Sequence, residues 1–467
     1  MNFPQSDQSI RLVQFFPDQP YFSDQRAVFY LRANFYIINT MRREGCLIFG
    51  AGPAGLKAAI ELRRKGVNGP DLTIIASSES PPYRPVYSTT IGPGGRLLAE
   101  YLSLMPADRV TFLDRIRVLA PGVDFTVSVP RQGSYFTIDY PSLVAALKRE
   151  AQELEVSILE FPLTTLARLR IASGEVAING SVFEPDLVVD ATGVDAVLAS
   201  RVEPERRGED PWVAAVYFKT VSGFMTSPAM ALIFGPAGGT SWLNPSFEPG
   251  CLDLVYSAWV RKSKMTEFLE EARCRWEELA HFCQQVPGIE VGGRVIRDGW
   301  GMIRSQPIPP PKSRLIYPLG EAAGLALPGS GDSLRLALLS AELFASSLRQ
   351  GLTPEEFWRR VTAYHRYYLF FAMVLARLSF QEKGNLGGLV RILGQWLSSP
   401  TASPQLTRAI ERYVIEGKLS PQLFARIMRQ REFADYLLRV VARWLKVRLG
   451  LNSDHSNHYP LPPLRGA

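Results

Sequence analysis

Four consecutive apolar residues, Cys46 to Phe49, run into a glycine turn, and apolar positions at helical spacing follow from Ala54 to Lys65, ending at Gly66. A second apolar run occupies Leu72 to Ala76. Short runs rich in branched residues read as buried strands, and a 3.6-residue period reads as an amphipathic helix, so the segment predicts a β-turn-α-β unit. From Val110 to Ile138 short alternating stretches are broken by Pro and Gly, and Tyr140 to Leu154 returns to helical spacing. Short strands lead on to "PDLVVDATG" (Pro185 to Gly193), whose unbroken apolar run has the length of a buried strand. Residues 211–310 read as strands around one helix, Lys264 to Val286. Leu315 to Leu348 is strand-turn-helix again, and the chain then looks helical to about Gly450, punctuated by Pro400, Pro404 and Pro421.

Composition adds limits rather than elements. With 467 residues, 46% hydrophobic and 21% charged, the chain has material for two or three substructures, which excludes fibrous and wholly disordered classes. Its cysteines (Cys46, Cys251, Cys274, Cys283) form no C-x-x-C pair, and with four histidines no metal-ligand spacing arises. Reduced thiols in a cytoplasmic protein are the expectation. No stretch reaches the roughly 18 apolar residues of a membrane span; "YYLFFAMVLA" (Tyr367 to Ala376) is short and flanked by Arg366 and Arg377. Residues 1–40 are aromatic-rich, without a clear period or the order of a secretory signal. Met41 stands where the β-turn-α-β domain would begin, and two readings of residues 1–40 stay open, a translated extension and a start assigned too early.

The net charge of +7 is concentrated late in the chain: between Arg408 and Arg448 ten basic residues face four acidic ones. Arg439, Arg443 and Lys446 fall at i, i+4 and i+7 beside a stripe of Val440, Trp444 and Val447. Two readings stay open, a helix lying on a membrane surface and a solvated basic face over a packed helix. No recognition motif accompanies the charge, so nucleic acid is not an expected partner.

The chemistry lies in two glycine clusters. "FGAGPAGLKAA" places Gly50, Gly52 and Gly55 in G-x-G-x-x-G spacing between a strand and a helix. The first glycine permits a tight turn, the second lets a pyrophosphate approach the backbone, and the third lets helix and strand pack closely. The alternative is a glycine turn that only packs. An acid at the end of the next strand would hold ribose hydroxyls, and Glu79 is the candidate. No second fingerprint exists, because "GPAGG" (Gly235 to Gly239) has the wrong spacing, so no nicotinamide domain is expected and the electron donor stays open.

The second cluster is "PLGEAAGLALPGSGDSLRLALLS", Pro318 to Ser340. With Gly320, Glu321, Ala322, Ala323 and Gly324, then Pro328, Gly331, Asp332 and Leu334, it resembles the C-terminal flavin motif of the geranylgeranyl reductase branch of flavoproteins, relatives of p-hydroxybenzoate hydroxylase. "LVVDATG", with Asp190 and Gly193, resembles that family's strand beneath the adenine. "YPSLVAALKREA" resembles a helix of the family, with Tyr140 in place of its usual arginine. "GGTSWLNP" resembles its Trp-x-x-Pro element through Trp242 and Pro245, and "PPYRP" (Pro81 to Pro85) is shared with flavoprotein reductases.

The resemblance implies an α/β fold. A Rossmann-like FAD-binding domain would occupy 41–210 and 311–350, with an inserted β-rich substrate domain at 211–310, a C-terminal helical region at 351–450 and a disordered tail at 451–467. It implies one FAD held by both glycine turns, with Gly331 and Asp332 bringing a helix N-terminus toward the flavin ring. Glu321 takes the place of the family's aspartate, which accepts a hydrogen bond from the ribityl chain. The implied activity is reduction of carbon-carbon double bonds in a polyprenyl lipid, with Trp242 and Pro245 lining the substrate site; plain core is the other reading of Trp242. A monooxygenase, a lycopene-cyclase-like enzyme and a non-catalytic flavin-fold protein at a membrane surface are the alternatives. Cys251, Cys274 and His281 have no partners at catalytic spacing.

Overall fold

A computed structural model describes residues 45–69, 71–79, 87–90, 100–102, 104–129, 135–162, 165, 169–172, 175–179, 181–203, 210–226, 230–234, 240–304, 310, 316–326, 333–362, 385–399, 403–416 and 420–430. The extension at 1–40, "PPYRP", Pro328, Gly331, Asp332, the basic helix at 439–448 and the tail at 451–467 lie outside them.

Its first sheet is wholly parallel. β1 (Cys46–Phe49) is central, β2 (Leu72–Ser77) and β8 (Ser157–Phe161) lie on one side, and β12 (Leu187–Asp190) and β18 (Ile316–Pro318) on the other. Strand alternation sends β1 to two cores. Cys46 and Ile48 pack under α1 (Pro53–Arg64), α2 (Tyr140–Glu153) and α5 (Leu334–Arg349). Leu47 and Phe49 pack on the opposite face against Val176 and Ile178 of a meander formed by β9 (Arg170–Ala172), β10 (Glu175–Ile178) and β11 (Ser181–Phe183). The predicted β-turn-α-β unit and the helix after Asp139 are present within a residue or two of their expected bounds. A short α3 (Val197–Val202) follows β12.

The second sheet has seven strands in the order β17 (Ile289–Ile303), β13 (Trp212–Met225), β16 (Cys251–Arg261), β15 (Thr240–Pro245), β14 (Met230–Phe234), β5 (Arg115–Ala120) and β6 (Val123–Ser128). α4 (Met265–Gln284) covers one face, burying Phe268, Trp276 and Cys283 against Leu243, Leu254 and Tyr256. Burial pushes the Cys283 thiol up to about 12, so this sulfur is core and no nucleophile. The sheet departs from the expected boundary at 211. β5 and β6 come from the earlier segment and enter through parallel pairing of β5 with β14, Ile116 beside Met230.

A third, small sheet of β3 (Tyr87–Thr90), β7 (Tyr135–Ile138) and β4 (Val110–Leu113) bridges the two halves. On β7, Phe136 and Ile138 enter the core beneath the parallel sheet, and Tyr135 enters a cluster with Met230 and Trp242. The C-terminal helices α6 (Asn385–Ser398), α7 (Pro404–Glu416) and α8 (Pro421–Met428) share their own core through Leu393, Ile410 and Ile427, which rests on Phe125 of β6 and Phe234 of β14. Among the described residues no helix is long and apolar enough to cross a membrane.

Candidate dinucleotide-binding site

The fingerprint glycines behave differently from one another. Gly50 has φ +108°, and a Cβ there would stand 2.2 Å from the Ala191 carbonyl oxygen. One on Gly55 would stand 1.9 Å from the oxygen of Gly50, so these two make the turn and seat the helix. A Cβ on Gly52 would meet nothing within 4 Å, and its φ of −82° suits any residue. Packing therefore gives no reason for glycine at position 52, whereas a ligand approaching the backbone does. Gly52 is the N-cap of α1, no side chain among the described residues caps that end and Pro53 follows, so the helix terminus offers its backbone N–H groups to an anion.

Two further loops reach the same edge. Phe49 pairs with Asp190, and Asp190 with Pro318, so the loops after β1, β12 and β18 leave neighbouring carboxyl ends of the sheet. Open parallel sheets bind ligands at such an edge, where the strand order reverses. Gly320, at φ +57°, lies against both helices: a Cβ would come 3.1 Å from the Ala54 Cβ and 3.2 Å from the Ala337 Cβ. The two glycine turns, nearly 270 residues apart in sequence, meet here. Gly320 donates its N–H to Ser340 Oγ at 3.0 Å, which ties the turn to α5. Glu321 occupies the single 3-10 turn Gly320–Ala323 that follows.

Asp190 has a task within the chain. It is buried, and its Oδ1 accepts from the Thr192 N–H at 3.1 Å and hydroxyl at 2.6 Å, while Oδ2 accepts from the Leu198 N–H at 3.1 Å. The carboxylate shapes the loop carrying Gly193 and caps α3. Asp190→Ala is expected to lower stability by about 2 kcal/mol, read by denaturant unfolding, because buried N–H groups lose their acceptors. Glu79 is exposed on the far side of β1, the second residue after β2 ends, and its N–H donates to Ser77 Oγ at 3.1 Å.

The sheet face away from α4 carries the predicted substrate element. Trp242, half-buried on β15, packs between two clusters, one with Ile116, Tyr135 and Met230 and one with Val216, Phe218 and Val255. Pro245 ends that strand. One row further on, pairing aligns Arg297, Thr220, Asp253 and Asn244 across four strands. Thr220 donates to Asp253, and Arg297 Nε donates to Thr220 Oγ1 at 2.9 Å. Burial pushes the Asp253 carboxyl above its ordinary value, against the opposing pull of Thr220, Arg297 and Ser246 and with a further push from Asp139. Sequence reasoning missed this row, although "WLNP" and "CLDLVY" each put a polar residue where strand alternation calls for an inward apolar one.

It also missed a charged knot beneath the first turn. Lys57, fully buried on α1, donates to Tyr101 Oη at 2.9 Å and pairs with Glu61 at 2.8 Å. Burial alone would push the Lys57 ammonium down, but Tyr101 and Glu61 outweigh that and hold its pKa above the usual lysine value. Lys65 Nζ donates to Ser346 Oγ at 2.9 Å, joining α1 to α5. Arg335, in the first turn of α5, is buried as well. Cys274 is exposed, Cys251 half-buried, and His281 contacts Gln285. Among the described residues no three His, Cys, Asp or Glu could hold a metal ion.

No protein-family model matches the sequence, and no curated protein matches it. Solved structures do. A geranylgeranyl bacteriochlorophyll reductase-like protein from Thermoplasma acidophilum is similar at a TM-score of 0.57 and 13% identity, over 85% of this chain and 98% of that one. The flavin-dependent brominase Bmp2 is similar at 0.58 and 16%, over 83% and 99%. CmlS, a flavin-dependent halogenase, is similar at 0.54 and 17%, over 87% and 78%. The α/β architecture built on the parallel sheet is thus the fold that this chain shares with the reductase-like protein and the two flavin-dependent halogenating enzymes.

Proposed function

We propose that this chain is an FAD-dependent oxidoreductase that reduces carbon-carbon double bonds of a polyprenyl lipid. The observation that carries the cofactor is the meeting of the two glycine turns at Gly320 and Ala54, beside an uncapped helix N-terminus and the open space at Gly52. Gly50, Gly52 and the α1 N-terminus would hold the pyrophosphate, Glu79 the adenine-side ribose, and Glu321 the ribityl chain. Once reduced by two electrons from a donor, the bound flavin would supply a hydride to one alkene carbon and return to its oxidised form, while a proton goes to the other carbon. The chain's part would be to present an apolar wall of half-buried Trp242, backed by the buried Phe218 and Val255, to the prenyl chain and keep water away. The Trp-x-x-Pro resemblance and that wall support the polyprenyl reading.

The test is the visible spectrum of the purified protein, with released flavin identified by chromatography, followed by anaerobic reduction and a geranylgeranyl lipid. Near-stoichiometric FAD and a product heavier by two hydrogens per reduced bond are expected. Protein that stays colourless after incubation with FAD would remove the flavoprotein reading. Oxygen or halogen incorporated in a parallel incubation of the reduced protein with air and halide would move the chain to another flavin chemistry.

A further inference from the structure

The row beside Trp242 holds polar atoms that the chain leaves unmatched. Asn244 is 0% exposed, and neither its Oδ1 nor its Nδ2 has a hydrogen-bond partner among the described residues. Directly opposite it in register, Asp253 is 1% exposed; Thr220 takes its Oδ1 and the Ser246 hydroxyl also pulls on the carboxyl, while Oδ2 meets no donor at hydrogen-bond geometry among the described residues. Thr137, also fully buried, lies on the face of β7 that sends Tyr135 into the Trp242 cluster, and its hydroxyl has no partner among the described residues. Buried polar atoms are nearly always paired, and leaving one unpaired costs stability. Strand alternation puts Asn244 on the same face as Trp242, so the unmatched atoms border the apolar wall.

We infer that Asn244 and Asp253 form the polar end of the substrate site and hold an uncharged hydroxyl at the head of an apolar substrate. The inference rests on the reductase reading for the prenyl body and adds the headgroup. A hydroxyl donates one hydrogen bond and accepts others; Asp253 Oδ2 and Asn244 Oδ1 accept, and Asn244 Nδ2 donates. Charge argues against a diphosphate. Asp253 feels the charge of Asp139, and the cation that acts on it, Arg297, already donates to Thr220 and pairs with Glu248 at 3.4 Å. An anion would be placed among carboxylates.

The FAD-loaded full chain is titrated with geranylgeraniol, its methyl ether and geranylgeranyl diphosphate, following tryptophan fluorescence. The alcohol is expected to bind about tenfold or more tightly than either analogue, since the ether cannot donate a hydrogen bond. Asn244→Leu should weaken the alcohol toward the ether while the ether is held as before; Asn244→Ser serves if the leucine variant does not fold. Equal affinity for alcohol and ether in the unaltered protein, or tighter diphosphate binding, would overturn the inference without any variant. Mass analysis of the same mixtures separates the two readings. An alcohol bound tightly but never reduced keeps the hydroxyl site and removes the reductase. Alcohol and ether bound and reduced alike remove the hydroxyl site and keep the reductase, and binding of none of the three overturns both.

Discussion

Gly52→Val is expected to fold as the unaltered protein does and to lose FAD, whereas Gly55→Val, three residues on, is expected to damage the fold itself. The contrast follows from what each new side chain meets. At position 52 a Cβ finds open space and an ordinary backbone conformation, so unfolding stability should fall by no more than about 1 kcal/mol, the cost of a poorer N-cap. On the proposed function the added side chain would stand where the pyrophosphate approaches, and affinity for FAD should fall roughly 100-fold, about 2.7 kcal/mol. At position 55 a Cβ would lie 1.9 Å from the Gly50 oxygen, far inside contact distance, and either the helix must shift or the turn must open. Overpacking of that kind costs about 3 kcal/mol, more than the helix propensity gained over glycine returns. Denaturant unfolding in parallel with FAD titration separates the two. A Gly52 variant that binds FAD normally would sink the assignment of the first turn to the cofactor.

Glu61→Gln is expected to lower stability by about 3 kcal/mol at neutral pH, the scale of removing one member of a buried ion pair. Lys57 would remain charged and buried with Tyr101 as its near partner and Glu100 4.0 Å away. Burial pushes the Glu61 carboxyl upward, but the Lys57 hydrogen bond and the charges of Lys57, Lys65 and Arg64 outweigh it and hold the pKa below the usual carboxylate range. An acid with a depressed folded pKa stabilises the protein above its unfolded pKa and loses that contribution as the pH falls through its folded one. The stability gap between the unaltered protein and the Glu61→Gln variant should therefore be full at neutral pH and narrow as acid protonates Glu61. Unfolding curves at neutral pH and at successively lower pH check the sign, and a gap that widens toward acid would contradict it.

Local pattern made much of this site legible. Gly50, Gly52 and Gly55 are read from spacing alone, because turn sterics and phosphate approach both demand glycine at set intervals after a strand. Leu187–Asp190 and Ile316–Pro318 are short apolar strands, and the apolar runs that form them stand out in the chain before any fold is known. Asp190 shows the limit of such reading. The resemblance of "LVVDATG" puts it among the cofactor residues, yet its oxygens accept from Thr192 and Leu198, and only the folded loop reveals which groups come within reach.

What the chain determined by itself is therefore the set of elements, the two glycine turns and the acids and aromatics near them, since periodicity and turn chemistry act over a few residues. The tertiary structure decided the rest. Parallel pairing of β5 with β14 joins residues more than a hundred positions apart and leaves no local trace, because each strand needs only an apolar partner of matching alternation. Lys57 reads in sequence as one more cation on an amphipathic helix, and in the fold it is fully buried with Tyr101 and Glu61 as its partners. Asn244 and Asp253 become neighbours only through strand register, and that register turns two isolated polar residues into a buried row beside Trp242.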